Sequence, residues 1–372
     1  MHRPTMLLGE LTPSWKGRLR RRVQAWYGRH ARDLPWRRQP NPYRVWVSEI
    51  MLQQTQVATV QAYFARFLAA FPTVYDLAEA DEGQVLRMWE GLGYYRRARQ
   101  MHAASRMIVD QWGGQFRTDV QELQQLPGVG RYTAGAIGSL AMGLREPILE
   151  ANTIRLLSRL VGYREDPRKG AGQRLLWQTA RDILPRKQVA AFNQGLMEIG
   201  SLVCTPSSPH CGQCPVATLC AAQIHELQTK IPRPKPKQTF TELREAAVVV
   251  RKQGRVLLRR CADGQRWAGL WDFPRFEIDS RRAPKLQWEL TEKVQQQTGI
   301  QIEPGRLLQT IRHDVTRYRI TLDCYEARCL GGRLHRTADK SLRWVSAVEL
   351  NTFALSTTGR KLARLAVNQL TG

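Results

Sequence analysis

A short proline-rich and basic segment, residues 230–238, constrains the fold most, because the hydrophobic pattern changes on crossing it. Before this segment, apolar residues recur at three- and four-residue spacing, as in residues 53–71, which predicts helices with one buried face. After it, apolar and polar residues alternate over 318–324, which predicts a half-buried strand. Proline cannot continue a helix, so the segment itself is predicted to be an extended linker.

The length of 372 residues accommodates two or three domains at roughly 150 residues each. We predict an all-α domain over residues 1–225, a linker over 226–242 and an α+β domain over 243–372. In the last of these, residues 246–258 predict a hairpin, and residues 285–297 predict a helix.

The charge of the chain indicates the kind of partner it binds. Lys and Arg number 57 and Asp and Glu number 32, so the net charge is 57 − 32 = +25. Phosphate polymers are attracted to such a surface through counterion release, although a merely arginine-rich enzyme would share the feature.

With 42% hydrophobic residues the chain can form a core. No apolar run reaches the roughly 20 residues that cross a bilayer, and the N-terminal apolar stretch is too short for a secretion signal. We therefore expect a soluble, intracellular protein with no membrane partner.

Four cysteines lie close together in the sequence, in the pattern C-x6-C-x2-C-x5-C. They are Cys204, Cys211, Cys214 and Cys220. An odd total of seven cysteines argues against a disulfide framework. A structural zinc site usually pairs two short knuckles, and only one is present here. A [4Fe–4S] cluster accepts unequal spacing, so we favour it over zinc.

Residues 126–135 form a glycine-containing turn between two helical segments. Gly128 and Gly130 permit a tight turn whose backbone N–H groups point outward, at the start of the next helix. Such a turn can contact a phosphate without reading any base. By itself it is equally compatible with an ordinary connection between helices.

Taken together, these features resemble the helix–hairpin–helix DNA glycosylases, the endonuclease III superfamily. Within it the chain is similar to the adenine DNA glycosylase (MutY) family. The motifs that carry the similarity are Leu34-Pro35-Trp36 and residues 48–56, 91–95 and 192–204. The resemblance implies a multidomain fold: an all-α helix–hairpin–helix glycosylase domain with an iron–sulfur cluster loop, then an α+β Nudix-like domain.

The chemistry implied by this family needs a proton for the departing purine and a negative charge beneath an oxocarbenium-like sugar. Glu49 is the expected acid, predicted near the start of an apolar helix where burial raises its pKa. Glu150 stands where the family has Asp, and Ala151 where it has Gly, so we expect Glu150 to stabilise the cation from a displaced position. Asn152 is expected to orient water or a carboxylate. Tyr132 replaces the lysine of bifunctional relatives, which implies a monofunctional enzyme because a phenol forms no Schiff base.

Further residues are assigned by the same resemblance. Trp36, Arg37, Leu52 and Glu198 are expected to line the adenine pocket, although Trp36 and Leu52 could equally be simple core. Gln54 and Tyr94 are expected to wedge into the gap in the duplex. The full set of expected DNA-binding residues is Gln53, Gln54, Tyr94, Gly128, Gly130, Arg131 and His313.

In the second domain, the helix that holds Mg²⁺ in Nudix hydrolases keeps only Glu289 and Glu292, so we predict no competent Mg²⁺ site. The family loop that checks the base opposite adenine corresponds to Ile311-Arg312-His313, in which only His313 matches. Recognition could then involve Arg312 or Arg317, or this could be a solvated basic strand.

The leading hypothesis is a monomeric enzyme, cytoplasmic and nucleoid-associated, that acts on double-stranded DNA. It would hydrolyse the N-glycosidic bond of adenine mispaired with 8-oxoguanine or guanine, with a [4Fe–4S] cluster as cofactor, and so initiate base excision repair. The alternatives are a related glycosylase with a shifted preference, a non-catalytic lesion-binding protein and, least favoured, a nucleotide-cleaving Nudix enzyme.

Overall fold

The computed structural model describes residues 11–234, 239–280, 282–335 and 341–368. The chain forms two compact units: Met1–Ala78 with Ala103–Pro236, and Glu79–His102 with Lys237–Gly372. The second unit thus includes a segment from the middle of the helical sequence. Residues 235–238 of the predicted linker lie outside the described residues. The predicted domain boundaries stay predictions.

Helices dominate the chain up to Ile224. In the described residues, the α-helices are α1 (Pro13–His30), α2 (Pro35–Arg38), α3 (Pro42–Leu52), α4 (Val57–Ala70), α5 (Val74–Glu79), α6 (Glu82–Trp89), α7 (Arg96–Trp112), α8 (Val120–Leu123), α9 (Arg131–Ala136), α10 (Ala151–Val161), α11 (Gly170–Ile183), α12 (Val189–Glu198), α13 (Ala221–Ile224), α14 (Ala283–Thr298) and α15 (Thr357–Asn368). None of them is both long enough and apolar enough to pass through a membrane.

The predicted helix over residues 53–71 begins later than its apolar pattern suggests. Residues 53–56 form a turn, and α4 starts at Val57. Its stripe is buried as expected at Val60, Phe64 and Phe67. The turn frees the Gln53 and Gln54 backbone from the helix, and Gln54 adopts a left-handed conformation (φ 58°).

Two helices of the first unit continue into π-helical turns, in which the hydrogen bonds span five residues. The turn Ile137–Ala141 follows α9, and the turn Ile199–Val203 follows α12. The second of these joins Glu198 to Cys204, two residues with predicted functions. At Gly200 an added Cβ would lie 2.8 Å from the Asn152 Cβ, so only glycine permits this approach to α10.

In its described residues, the second unit contains a mixed seven-stranded sheet. Its strands are β1 (Thr241–Lys252), β2 (Arg255–Arg260), β3 (Trp271–Asp272), β4 (Arg275–Glu277), β5 (Ile300–Val315), β6 (Tyr318–Gly332) and β7 (Leu342–Ser346). The order is β3-β2-β1-β6-β5, with β4 pairing β1 and β7 pairing β2. Strands β1 and β6 are parallel, and the other pairs are antiparallel.

Strand β1 carries a continuous apolar run because both faces of the sheet are covered. Ala247 and Val249 pack into the core that includes Leu362 of α15. Ala246 and Val248 pack into a second core, on the side of α14. The predicted hairpin forms between β1 and β2, with Gln253 and Gly254 both at positive φ (48° and 70°), as a tight two-residue turn requires.

Candidate active site

A cavity of about 430 Å³ in the first unit brings together side chains from distant parts of the sequence. Ten of the residues expected to act in catalysis or binding line it. They are Trp36, Arg37, Glu49, Leu52, Gln53, Gln54, Tyr132, Glu150, Asn152 and Glu198. Arg32, Gln194 and Ser201 also line it. No site function was predicted for them from the sequence, although Gln194 and Ser201 lie in the motif 192–204.

Glu49 lies in the last turn of α3, not near the start of the helix as predicted. The helix begins earlier because the Asn41 side chain caps it, and Pro42 occupies its first position. The predicted burial is correct, since only 4% of Glu49 is exposed. Its Oε2 accepts a hydrogen bond from the Tyr132 hydroxyl.

The surroundings of Glu49 favour its protonated form. The pKa of Glu49 is raised to about 7, and burial is the largest cause. The charge of Glu150 raises this pKa as well, whereas the hydrogen bond from Tyr132 and the charge of Arg37 lower it. Burial also raises the pKa of the Tyr132 phenol well above 10, so this group stays a neutral donor. Glu49 is therefore a carboxyl that can carry a proton near neutral pH.

Glu150 is held in a different way, as the N-cap of α10. Its carboxylate accepts hydrogen bonds from the backbone N–H groups of Asn152 (2.8 Å) and Thr153 (3.0 Å). The Thr153 hydroxyl oxygen in turn accepts from the Glu150 N–H (2.7 Å). Burial raises the pKa of Glu150, while both backbone N–H groups and Arg155 lower it by stabilising the anion. Ala151 begins the helix without backbone strain, so the glycine of the family pattern is not needed here.

Asn152 connects the cavity to the cysteine loop. Its Oδ1 accepts a hydrogen bond from Arg155 Nη2 (2.9 Å), and the same nitrogen donates to the Gly200 carbonyl (2.6 Å). Arg155 Nε donates to the Cys204 carbonyl (2.6 Å). One turn further along α10, the buried Arg159 donates to the Cys204 sulfur (3.2 Å) and to the Thr205 carbonyl (2.7 Å).

Glu198 is fully buried in the cavity wall and is neutralised by two arginines. Arg32 contacts both of its oxygens (2.8 and 3.0 Å), and Arg37 Nη2 lies 2.7 Å from Oε1. The sequence analysis identified Arg37 and missed Arg32. The basic segment 29–38 indicated that an arginine could serve here, but Glu198 is 166 residues away from Arg32 and no local pattern pairs them.

The remaining predicted residues of the first unit lie as follows. The Trp36 ring packs nearly perpendicular to that of Phe64, with 5.5 Å between the ring centroids, and the buried Trp36 also lines the cavity. Gly128 adopts positive φ (79°), which the turn requires, whereas Gly130 does not (φ −92°). The Arg131 guanidinium stacks on Trp177, 3.9 Å from its centroid.

All four cysteines of the spaced motif line one small cavity, together with apolar residues and the polar side chains of Arg159, Gln223 and Gln228. Burial raises the pKa of the Cys214 thiol to about 12 and that of Cys220 to about 11. Thiols in such a site ionise when a cationic centre replaces the lost solvation, so the donor set fits an iron–sulfur cluster. In the part of the chain that the structure describes, no three Cys, His, Asp or Glu side chains lie close enough together to hold a single metal ion.

Two predicted DNA-binding residues belong to the second unit. Tyr94 is 49% exposed and has positive φ (49°). His313 lies on β5, half-buried, with Nε2 3.3 Å from Arg275 Nη2. Burial and the charge of Arg275 lower the pKa of His313, which favours a neutral ring.

Glu289, on the helix that carries the metal ligands in Nudix hydrolases, is engaged within the protein. It accepts hydrogen bonds from the backbone N–H of Asp279 (3.3 Å) and Ser280 (3.1 Å) and pairs with Lys293 (2.9 Å). Although burial alone would raise the pKa of Glu289, these partners hold it at about 2. The prediction that this unit has no Mg²⁺ site stays a prediction.

Comparison with protein families gives three matches. Residues 47–182 match the HhH-GPD superfamily base excision DNA repair protein, residues 204–220 the iron–sulfur binding domain of endonuclease III, and residues 245–365 the NUDIX domain. The cofactor is therefore a [4Fe–4S] cluster, and the matched residues 204–220 contain all four cysteines that the sequence predicts as its ligands.

Curated relatives cover most of the chain. The chain is 31% identical to adenine DNA glycosylase of Homo sapiens, over 94% of this chain and 74% of the relative. It is 35% identical to adenine DNA glycosylase of Buchnera aphidicola subsp. Schizaphis graminum, over 72% of this chain and 77% of the relative. The solved structure of a thermostable thymine-DNA glycosylase is similar over 58% of this chain and all of that chain, with 25% identity and a TM-score of 0.54. The chain belongs to the adenine DNA glycosylase family of DNA N-glycosylases, which act in base excision repair.

Proposed function

We propose that this enzyme removes adenine mispaired with 8-oxoguanine or guanine, by hydrolysis and without cutting the strand. The observation that carries the proposal is the pair of carboxyl groups in one cavity, with Glu49 buried and Glu150 held by backbone N–H groups. These two environments separate an acid from an anion, which is the division of labour that glycosidic cleavage requires.

In the proposed reaction, the flipped adenine enters the cavity and Glu49 donates its proton to the purine N7. The glycosidic bond then breaks, and its electron pair moves to the protonated base, which leaves as neutral adenine. The positive charge left on the sugar is stabilised by Glu150, and water adds to the anomeric carbon after losing a proton to Glu49. Tyr132 offers a hydroxyl in place of an amine, so no Schiff base forms and the strand stays intact.

The wall opposite the two carboxyls supports recognition of the base. Trp36 and Leu52 offer apolar surface on which the purine ring can pack. Glu198, paired with Arg32 and Arg37, offers a polar cluster that can hydrogen-bond the edge of the base. Since Arg32 and Arg37 hold this carboxylate, we include Arg32 in the proposed base pocket. A buried polar group left unpaired by a different base costs free energy, which favours adenine.

We propose that the duplex is held and opened by separate elements. The backbone of the hairpin at Gly128 and Gly130, with Arg131, contacts phosphate, and Gln53 assists at the cavity. Gln54 and Tyr94 fill the gap in the duplex, and both adopt left-handed backbone conformations that are uncommon for residues other than glycine. Such conformations persist where the surroundings impose them and are concentrated at functional sites.

The second unit is proposed to examine the base opposite adenine, through His313 and the adjacent exposed Arg312. Arg317, beside the Tyr318 ring (5.1 Å), adds a cation at the same hairpin. We further propose that the enzyme acts as a monomer inside the cell, at the nucleoid, which the charge of +25 favours.

A related enzyme with a shifted opposite-base preference is the second candidate, favoured by Ile311-Arg312 in place of the family residues. The test is single-turnover release of adenine from duplexes with each possible opposite base. We expect the fastest release opposite 8-oxoguanine, then guanine. Faster release opposite another base would establish the second candidate, and release equal to a no-enzyme control would indicate a lesion-binding protein.

Replacing Glu49 by Gln removes the proposed acid while keeping the shape of the side chain. We expect adenine release to fall by roughly 10²–10⁴-fold, while duplex binding, measured by fluorescence anisotropy, stays near the wild-type value. Wild-type release by Glu49→Gln would disprove the acid assignment.

The pH dependence follows from the same group. Because the protonated form of Glu49 is required and its pKa is about 7, single-turnover release should fall as pH rises through this value. The hydrogen bond from Tyr132 lowers the pKa of Glu49, so Tyr132→Phe should shift the falling limb to higher pH. An unshifted limb in an active Tyr132→Phe variant would contradict this account.

Glu150→Gln tests whether the charge or the helix cap matters. An amide oxygen can still accept a hydrogen bond at the N-cap, but the anion is lost. We expect release to slow by on the order of 10²-fold, whereas Glu150→Asp, the matched variant that keeps the charge, should stay within about tenfold of wild type. Equal rates for the Gln and Asp variants would exclude the electrostatic role. Thermal unfolding of both variants separates this effect from a loss of stability.

A further inference from the structure

The loop that presents Tyr94 combines an exposed aromatic ring with a constrained backbone. Gly91, Gly93 and Tyr94 all have positive φ (99°, 70° and 49°). For tyrosine this conformation is unfavourable, so the surrounding groups must impose it. A ring that is exposed yet fixed is suited to entering a base stack, because little conformational entropy remains to be lost.

Two buried side chains, Trp89 and Arg97, fix the loop by donating hydrogen bonds to its backbone carbonyls. Trp89 Nε1 donates a hydrogen bond to the Gly93 carbonyl (3.2 Å). Arg97 Nη2 donates to the same carbonyl (3.1 Å) and to that of Leu92 (3.3 Å). The Arg97 guanidinium also lies 5.5 Å from the centroid of the Tyr94 ring.

On its N-terminal side, the loop begins at Glu90, which forms a bidentate ion pair with Arg360 of α15. The distances are 2.7 Å from Nε to Oε1 and 3.0 Å from Nη2 to Oε2. Glu90 also accepts a hydrogen bond from the Leu355 backbone N–H (3.2 Å). Arg360 donates in addition to the carbonyls of Leu350 (2.9 Å) and Phe353 (2.6 Å).

This ion pair is largely removed from water, with 12% of the Arg360 side chain and 8% of the Glu90 side chain exposed. Arg87 Nη1 also lies 3.3 Å from Glu90 Oε2, but Arg360 is the bidentate partner that fixes both carboxylate oxygens. Loss of Arg360 would leave Glu90 with the longer ion pair alone, and the segment around Glu90 would then be free to move. Glu90 is followed directly by Gly91, so that movement would reach the loop that carries Tyr94.

We propose that Arg360 is a positioning residue for Tyr94. Through Glu90, the C-terminal helix braces the loop that enters the duplex, so the Nudix-like sequence contributes to extrusion of adenine as well as to inspection of the opposite base. The inference rests on the proposed wedge function of Tyr94. It assigns to residues 350–360 a part in the reaction that is independent of any contact between them and DNA.

The test is a double-mutant cycle with Tyr94→Ala, Arg360→Ala and the combined variant. Single-turnover adenine release is measured together with fluorescence of 2-aminopurine placed beside the target adenine, which reports unstacking. We expect each single variant to release adenine roughly tenfold more slowly and to show less unstacking, and the combined variant to be no slower than Tyr94→Ala alone. If the combined variant shows the sum of the losses in the two single variants, the proposal is overturned. Such a result would indicate a general structural defect, whose effect does not depend on Tyr94.

A second substrate separates extrusion from chemistry. With adenine opposite an abasic analogue, where stacking is already disrupted, Arg360→Ala should act within about twofold of wild type. Equal slowing on both substrates would overturn the proposal. Arg364→Ala, at an exposed position of the same helix, is the matched control and should behave as wild type on both. If Arg360→Ala proves too unstable to purify, Glu90→Gln replaces it in the same double-mutant cycle with Tyr94→Ala.

The outcomes also distinguish this inference from the function on which it rests. Wild-type release by Tyr94→Ala would disprove the wedge function and the positioning role together. A slow Tyr94→Ala with a wild-type Arg360→Ala would disprove the positioning role alone.

Discussion

The burial of one carboxyl group is the constraint on which the first unit depends. Glu49 is buried at the end of α3, and its main hydrogen-bonding partner, Tyr132, comes from a different helix 83 residues further along the chain. Burial raises the pKa of Glu49 to about 7. Burial also raises the pKa of Glu150, but the backbone N–H groups at the start of α10 act in the opposite direction by stabilising its anion. Two carboxyl groups of the same chemical type thus lie in one cavity in different surroundings.

Helix α10 links this cavity to the cysteine loop. Its N-cap is Glu150, its first turn contains Asn152, and successive turns carry Arg155 and Arg159, which both bond to Cys204. Because arginines at i and i+4 lie on one face of a helix, a single element aligns the carboxylate with the iron–sulfur ligands. A cluster bound by the four cysteines would fix this short loop and, with it, the carbonyls to which these arginines bond.

Substitutions that looked disruptive in the sequence are accommodated locally. Glu150 reaches two backbone N–H groups as a shorter aspartate would, and Ala151 is helical and unstrained. Glu49 was predicted at the wrong end of its helix, because the preceding Asn41-Pro42 start signal was not used. Arg32 was not predicted, because its partner Glu198 is distant in sequence and its own surroundings in the sequence are those of an ordinary surface arginine.

By itself, the sequence determined the helical and α/β parts and the spacing of the four cysteines, because spacing and periodicity are local properties. The residues expected in the cavity came from the resemblance to a family. Only the tertiary structure decided which charges are buried and with which partners. Desolvation raises the pKa of Glu49 and shields the Glu90–Arg360 ion pair from water. It depends on neighbours that are distant in sequence, up to 270 residues in the case of Glu90 and Arg360. The burial of a charge is a property of the whole unit, so no pattern along the chain encodes it.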